Sequence, residues 1–370
     1  MYIKTLKIKD FRNYEVLDLE FDKKVNIILG SNAQGKTNLM ESIYISSFGR
    51  SFRTSRDTDM IRFGSDQARI NMIFNKDIGD VEIDILLNKD HKKSVKVDGN
   101  RIRKTSQLLD NVYIVIFSPD DLKIVKDEPE KRRKFIDKEL CQIKTSYYSN
   151  LSNYKKVLLE RNTYLKEINV DPSMLDIWDT QLAEYGAKIM LQRKAFIDEI
   201  SETSCEIHKG ITNNKEILSI KYDPNIEYND DIKIQKQIFY DKLKSSFDND
   251  MRMRTTTKGP HKDDIEFFIK TEDNNINVRN FGSQGQQRTA ALSLKLAEID
   301  IIKKETGEYP ILLLDDVMSE LDLERQEYLI KTLSFSQLFI TTAEMQDKLI
   351  EEFPDAALFK VVKGNVEKML

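Results

Sequence analysis

Three short stretches of the chain hold side chains that could do chemistry together. The first, Gly30-Ser31-Asn32-Ala33-Gln34-Gly35-Lys36-Thr37, matches the phosphate-binding pattern GxxxxGK[ST]. Glycines at both ends let backbone N–H groups wrap phosphate oxygens, the lysine neutralises them, and the threonine hydroxyl can ligate Mg2+. The second is Asp315-Asp316, at the end of the apolar run Ile311-Leu312-Leu313-Leu314. In a phosphate-loop enzyme the first carboxylate would hold Mg2+ through its water shell, and the second would orient or deprotonate the attacking water. The third, Ser283-Gln284-Gly285-Gln286, stands directly before a helical stretch. A serine hydroxyl, a glycine backbone and a helix N-terminus make an anion site suited to a γ-phosphate presented from outside this loop; the same four residues also read as an ordinary helix cap.

The elements that must position these groups follow from periodicity. Ile3, Leu6 and Ile8, then Val16, Leu17, Leu19 and Phe21, then the run Val25–Leu29, predict three strands, the last entering the phosphate loop. Leu39, Met40, Ile43 and Tyr44 predict a helix leaving it. Two further strands are expected at 68–74 and 81–87, then a hairpin turning at Asp98-Gly99 and an apolar run at 112–117. From 122 to 250 the texture changes to long helical stretches, broken at Asp171-Pro172 and at 210–214. Strand character returns at 265–269, followed by a helix over 286–304, a strand at 311–314 and a helix. A strand at 338–342, another helix and a last strand at 358–362 complete the chain. The expected organisation is one α/β domain assembled from 1–120 and 255–370, with a mainly helical arm, 121–254, inserted between its halves.

The 370 residues carry 58 Lys+Arg against 62 Asp+Glu, a net charge of −4, with 40% hydrophobic and 32% charged residues. That composition excludes whole-chain disorder and a membrane-embedded chain. Cys141 and Cys205 cannot build a disulfide framework and lack metal-ligand spacing, and no segment reads as a signal peptide or a membrane span, so a cytoplasmic protein is expected. Nucleic-acid binding depends on local basic surface, for which there are three candidates: Arg50, Arg53 and Arg56; the run Lys131-Arg132-Arg133-Lys134; and Arg252 with Arg254. The second reads equally as a solvated helix face paired with nearby Glu128, Glu130, Asp137 and Glu139. His261 with Asp263 and Asp264 lacks a nucleophile or further ligands, and is expected to form a structural or nucleotide-coupled loop rather than a metal centre.

The order of the three motifs, with Ser319-Glu320-Leu321-Asp322 after the acid pair, resembles the ABC-type ATPases, and Arg12-Asn13-Tyr14 resembles their SMC-like branch. Gly49-Arg50-Ser51-Phe52-Arg53-Thr54, Lys258-Gly259-Pro260-His261-Lys262-Asp263-Asp264, Ser283-Gln284-Gly285-Gln286-Gln287-Arg288 and the segment around Asp315 are similar to the RecF family over essentially the whole chain. The resemblance implies an ABC-type P-loop ATPase head that binds ATP and Mg2+. It also implies an ATP-driven homodimer engaging single-stranded, gapped or junction DNA, which with RecR and RecO promotes recombinase loading and is reset by slow hydrolysis. By motif, residues 30–37 with Asn38, Arg12 and Asn13 would line the nucleotide, Thr37 and Asp315 would hold Mg2+, and Asp316 would be catalytic. Ser283, Gly285 and Gln286 would reach the nucleotide of the other protomer. Departures from the superfamily pattern are Gln284 at the first signature glycine, Asp316 in place of Glu, and Thr341-Thr342 where a switch histidine is usual. Ser118-Pro119-Asp120-Asp121 stands where a glutamine loop is expected. Two alternatives, the ATPase subunit of a membrane transporter and a nuclease-linked ABC-type ATPase, are disfavoured by the long 122–250 insertion and by the lack of a further acidic cluster after Asp316.

Overall fold

The computed structural model describes residues 1–370 apart from 23, 78, 104, 105, 110, 273, 334, 345–350 and 370. They form two compact units, Met1–Asp121 with Glu298–Leu370, and Leu122–Ala297.

The first unit contains two six-stranded sheets. One is antiparallel, in the order Tyr14–Glu20, Tyr2–Phe11, Gln67–Lys76, Gly79–Asn88, Ser94–Val97, Asn100–Arg101. Its strands alternate buried and solvated residues, as an antiparallel sheet with one wet face requires. Tyr2–Phe11 changes phase, burying Ile3 and then Leu6 and Ile8, because the pairing with Gln67–Lys76 shifts register between Ile3 and Thr5. This bulge restores the inward face for the rest of the strand.

The other sheet interleaves both chain ends, in the order Asn365–Met369, Ala357–Val362, Val25–Leu29, Leu338–Thr342, Ile311–Asp315, Ile114–Phe117. All neighbours run parallel except the C-terminal hairpin. Parallel strands are covered on both faces, so they read as unbroken apolar runs such as Leu312-Leu313-Leu314 and Phe339-Ile340, all buried. Residues from the two ends of the sequence thus share one core, as expected. The helix Lys36–Phe48 is buried almost all round; its Ser42 and Ser46 hydroxyls donate to the carbonyls of Leu39 and Ile43, and Ser47 donates to Val112. The helix expected between 342 and 358 falls largely on 345–350, outside the described residues. The final strand Asn365–Met369 was not expected: its alternation is mostly exposed and too polar to read as a strand.

The second unit is mainly helical. Pro129–Ile143, Thr145–Tyr164 and Pro172–Ile211 are followed by Ile232–Ser245 and Phe247–Met253. Pro172–Ile211 has 40 residues, about 60 Å at 1.5 Å per residue. It starts where predicted: Asp171 accepts from the Ser173 N–H as N-cap and Pro172 takes the first helical position. Two points correct the expectation. A strand, Ile217–Asp223, lies within the helical block and pairs with Asp264–Lys270, itself paired with Asn275–Asn277. The second domain boundary moves from 254/255 to 297/298, because this sheet and the ion pairs of Arg132 with Asp264 and Arg193 with Asp263 bind 255–297 into the helical unit.

Candidate nucleotide site

The strand Val25–Leu29 delivers the chain to the phosphate loop, and the helix Lys36–Phe48 carries it away. Both glycines are required by their surroundings. A Cβ at Gly30 would stand 2.6 Å from the Val361 carbonyl oxygen, and one at Gly35, where φ is +127°, would stand 2.7 Å from Asn13 Nδ2. Lys36 is buried and its Nζ donates to the Gly30 carbonyl at 2.7 Å, which bends the loop over its own ammonium.

Neighbouring segments brace the loop. Asn13 Nδ2 donates to the Gln34 carbonyl (2.8 Å), the Tyr14 hydroxyl donates to the Gly35 carbonyl (2.9 Å), and Asn38 Nδ2 donates to Asn13 Oδ1 (2.8 Å). From the C-terminal hairpin, the Lys363 N–H donates to Gln34 Oε1 (2.7 Å) and the Gly364 N–H to the Gln34 carbonyl (3.1 Å). Ser31, Asn32 and Ala33 form the outer curve, Ala33 at φ +65°.

The acid pair meets the loop at its helix end. Thr37 Oγ1 donates to Asp315 Oδ1 at 3.3 Å, and Thr341 Oγ1 donates to the same oxygen at 2.9 Å. Thr341 Oγ1 also accepts the Asp316 N–H at 2.9 Å, and Asp316 sits in the left-handed region at φ +53°. Asp315 is buried, and that burial, reinforced by the Asp316 charge, holds its carboxyl above the ordinary range despite the Thr341, Thr37 and Lys36 contacts. A buried, charge-disfavoured carboxylate beside a threonine hydroxyl and a lysine suits a divalent cation carried in by a phosphate. A glycine-walled loop with Lys36 inside fits the phosphate itself. Thr341, seen in the sequence only as occupying a switch position, therefore touches both acids.

Sequence reasoning missed Glu41. This fully buried carboxylate accepts from Arg12 Nε and Nη2 (2.8 and 2.6 Å) and from the Ser51 hydroxyl, with Arg53 Nη1 at 3.7 Å. Arg12 also donates to the Asp59 carbonyl at 2.6 Å. Arg12, a residue expected to line the nucleotide, is thus held beside the loop by a buried ion pair whose rupture would cost about 3–5 kcal/mol. The signal was a lone acid in the apolar and serine-rich helix sequence LMESIYISS.

In the second unit Ser283 Oγ accepts the Gln286 N–H (3.2 Å) and Gln286 Oε1 accepts the Ser283 N–H (2.9 Å), a reciprocal cap on the helix Gln284–Thr306. Gly285 lies in its first turn.

The basic clusters separate. Arg132 is buried against Asp264 (2.7 Å), Arg133 donates to the Asp263 carbonyl (2.7 Å), Lys131 pairs with Asp127 (2.9 Å) and Lys134 with Glu130 (2.7 Å). Arg254 donates to the carbonyls of Leu165 and Glu167, and Arg252 to Asn249. Arg50 and Arg56 remain exposed. His261 is embedded in the second unit: its Nε2 faces the Thr256 carbonyl (2.9 Å) and so carries the proton, and its Nδ1 accepts from the Tyr154 hydroxyl (2.7 Å). Burial lowers it to about 4. Asp263 receives the Arg193 guanidinium, the Tyr222 hydroxyl and the Asn225 N–H. Among the described residues no group of three or more His, Cys, Asp or Glu side chains is placed to hold a metal by itself, and no helix is long and apolar enough to cross a membrane. Ser118 donates through N and Oγ to Asp121 (2.8 and 2.6 Å), closing a local turn where a glutamine loop was expected.

Known proteins resemble this chain along its whole length. Residues 2–365 match the RecF/RecN/SMC N terminal domain family. A DNA replication and repair protein RecF from Clostridioides difficile is 46% identical over 368 residues, 99% of this chain and 98% of that one. Its counterpart from Agathobacter rectalis is 45% identical over 370 residues, 99% of each chain. The solved structure of a recombination mediator protein RecF with ATPrS, in the RecFOR pathway, superposes with a TM-score of 0.92 at 35% identity, covering 100% of this chain and 98% of that one. An Smc head, 18% identical with a TM-score of 0.58 over 100% of this chain and 97% of that one, shares the fold. With a phosphate loop and an acid pair on an ABC-type ATPase fold, and with relatives matched from end to end, the chain belongs to the RecF family.

Proposed function

We propose that this chain is an ATP-switched DNA clamp of replication and single-strand gap repair. The single observation that carries the reading is the cluster joining Thr37, Asp315, Thr341 and Asp316 at the end of the phosphate loop. Residues 30–37 and Asn38, braced by Asn13 and flanked by Arg12, bind the phosphates of ATP. Thr37 and Asp315 would hold Mg2+, whose positive charge would offset the negative charge of the phosphates. Asp316, on a constrained backbone, orients the attacking water, and its short side chain accords with slow turnover.

ATP draws two copies of the chain together. Ser283, Gly285 and Gln286 at the N-terminus of the Gln284–Thr306 helix meet the nucleotide of the second protomer, where the helix end and the serine hydroxyl favour the γ-phosphate. The closed dimer retains single-stranded, gapped or junction DNA through phosphate contacts that carry no sequence information. Arg50 and Arg56, which remain exposed beside the Glu41 hub, are the favoured contacts. Relatives described as acting in the RecFOR pathway support RecR and RecO as partners that promote recombinase loading. Hydrolysis reopens the clamp.

The test is sedimentation of the full chain with and without ATP, repeated with gapped duplex DNA. The native chain should dimerise only with ATP and stay on DNA as the dimer. Lys36→Ala should lose ATP affinity, dimerisation and DNA retention together. Ser283→Arg should lose dimerisation while its monomer still binds ATP. Unchanged nucleotide affinity in Lys36→Ala would refute the site, and normal dimerisation of Ser283→Arg would leave residues 283–286 as a helix cap.

A further inference from the structure

The serine-capped loop is held from behind by a residue that no motif singles out. Gln286 Nε2 donates to Glu216 Oε1 at 2.8 Å, while the other end of the same amide, Oε1, accepts the Ser283 N–H at 2.9 Å. A carboxylate can only accept, so Glu216 dictates which end of the Gln286 amide faces it, and the carbonyl end is thereby turned to Ser283. A half-turn of the amide would set an NH2 group against the Ser283 N–H and break that arm of the cap. Ser283 Oγ meanwhile accepts the Gln286 N–H at 3.2 Å, which leaves its hydroxyl proton for an acceptor outside the cap, on an exposed side chain.

Glu216 is itself fixed. It immediately precedes the strand Ile217–Asp223, and its second oxygen, Oε2, lies 3.1 Å from His208 Nε2. His208 is fully buried in the last turn of the helix Pro172–Ile211, and its Nδ1 lies 3.1 Å from Ser293 Oγ, further along the helix that begins at the loop. One carboxylate thus bridges the end of the long helix and the start of the signature helix. We propose that Glu216 is a positioning residue for the signature loop: it sets the orientation of Gln286, and through Gln286 that of Ser283, toward the nucleotide of the second protomer. This rests on the reading of residues 283–286 given above.

The experiment compares ATP-dependent dimerisation of the full-length native chain, Glu216→Ala, Glu216→Gln, Gln286→Ala and Glu216→Ala/Gln286→Ala by analytical ultracentrifugation, with ATP affinity measured on each monomer. Glu216→Ala should weaken the dimer by about tenfold or more, the size of one lost hydrogen bond to a charged group, with monomer ATP affinity unchanged. Glu216→Gln keeps an oxygen that accepts from Gln286 and should return to within about threefold of the native chain. The double variant should be no weaker than Gln286→Ala alone, since a residue acting through another adds nothing once that other is gone. If Glu216→Ala folds poorly, the rescue by Glu216→Gln against the native chain and against Glu216→Met, which fills the volume with only a weak thioether acceptor, decides the matter in its place. Native-like dimerisation of Glu216→Ala or Glu216→Met, or additive losses in the double variant, would overturn the proposal. Failure of the native chain to dimerise with ATP would instead overturn the function on which it rests.

Discussion

Replacing Thr341 with valine removes one hydroxyl shared by both members of the acid pair while keeping the side chain's branched shape. Thr341 Oγ1 donates to Asp315 Oδ1 at 2.9 Å and accepts the Asp316 N–H at 2.9 Å, and Thr341 is buried. The first bond goes to a carboxylate and is worth about 1.5–3 kcal/mol; losing the acceptor of a backbone N–H costs about 1–3 kcal/mol more. The two share an atom and do not add in full, so about 3 kcal/mol is the working figure. For a domain of 150–250 residues this lowers Tm by roughly 6–12 °C. Thr341→Ser retains the hydroxyl and should lose far less. Because Asp316 is held in a left-handed backbone conformation with its N–H on this hydroxyl, the valine variant should also hydrolyse ATP about tenfold more slowly at unchanged ATP affinity. Thermal melting of the nucleotide-free protein, followed by titration and single-turnover hydrolysis, reads both effects. A valine variant that melts within about 2 °C of the native chain and turns over normally would refute the claim that Thr341 couples the two acids.

The remaining expectations concern the same site and one core loop. Asp315 has a folded pKa raised above the ordinary 3.8 by burial and then by the Asp316 charge, so its ionisation favours the unfolded chain, and stability should fall as pH rises from 3.8 through the raised value. Asp315→Asn should therefore raise the Tm of the metal-free protein at pH 7 and flatten that pH window, while losing the Tm gain expected of the native chain on adding Mg2+ with ATP; a lowered Tm at pH 7 would contradict this. Asp316→Asn should keep ATP bound and slow its cleavage, accumulating a dimer that stays on DNA, as read by sedimentation; normal turnover would place the catalytic carboxylate elsewhere. At Gly259, φ is +135° and a Cβ would lie 2.4 Å from the Tyr154 hydroxyl oxygen and 2.9 Å from the Phe239 ring, so Gly259→Ala should destabilise the second unit by about 3 kcal/mol or more. Differential scanning calorimetry with an unshifted transition would show that the loop yields without cost.

What the sequence determined by itself was the local chemistry and its immediate carriers. A glycine-framed loop can be recognised because phosphate binding needs backbone N–H groups at fixed spacing, and the strand and helix around it follow from periods of two and 3.6. The long parallel-sheet runs and the Asp171-Pro172 helix start were legible for the same reason: each depends on a few neighbouring residues. What only the tertiary structure decided were partners distant in the chain. Ile217–Asp223 looks like part of a helical block until Asp264–Lys270 arrives to pair with it, and Asn365–Met369 is too polar to announce itself without Ala357–Val362 beside it. Arg132 and Arg133 read equally as DNA-contacting cations or as part of a solvated helix face paired with neighbouring acids, yet the distant Asp264 and the Asp263 carbonyl take them up. Glu41 and Glu216 carry no motif; each acquires a role when folding brings it hydrogen-bond partners that water would otherwise replace. Periodicity encodes which way a side chain faces, but a buried charge takes much of its pairing from groups that the rest of the fold carries to it, such as Asp264 on Arg132, which lie far away in the chain.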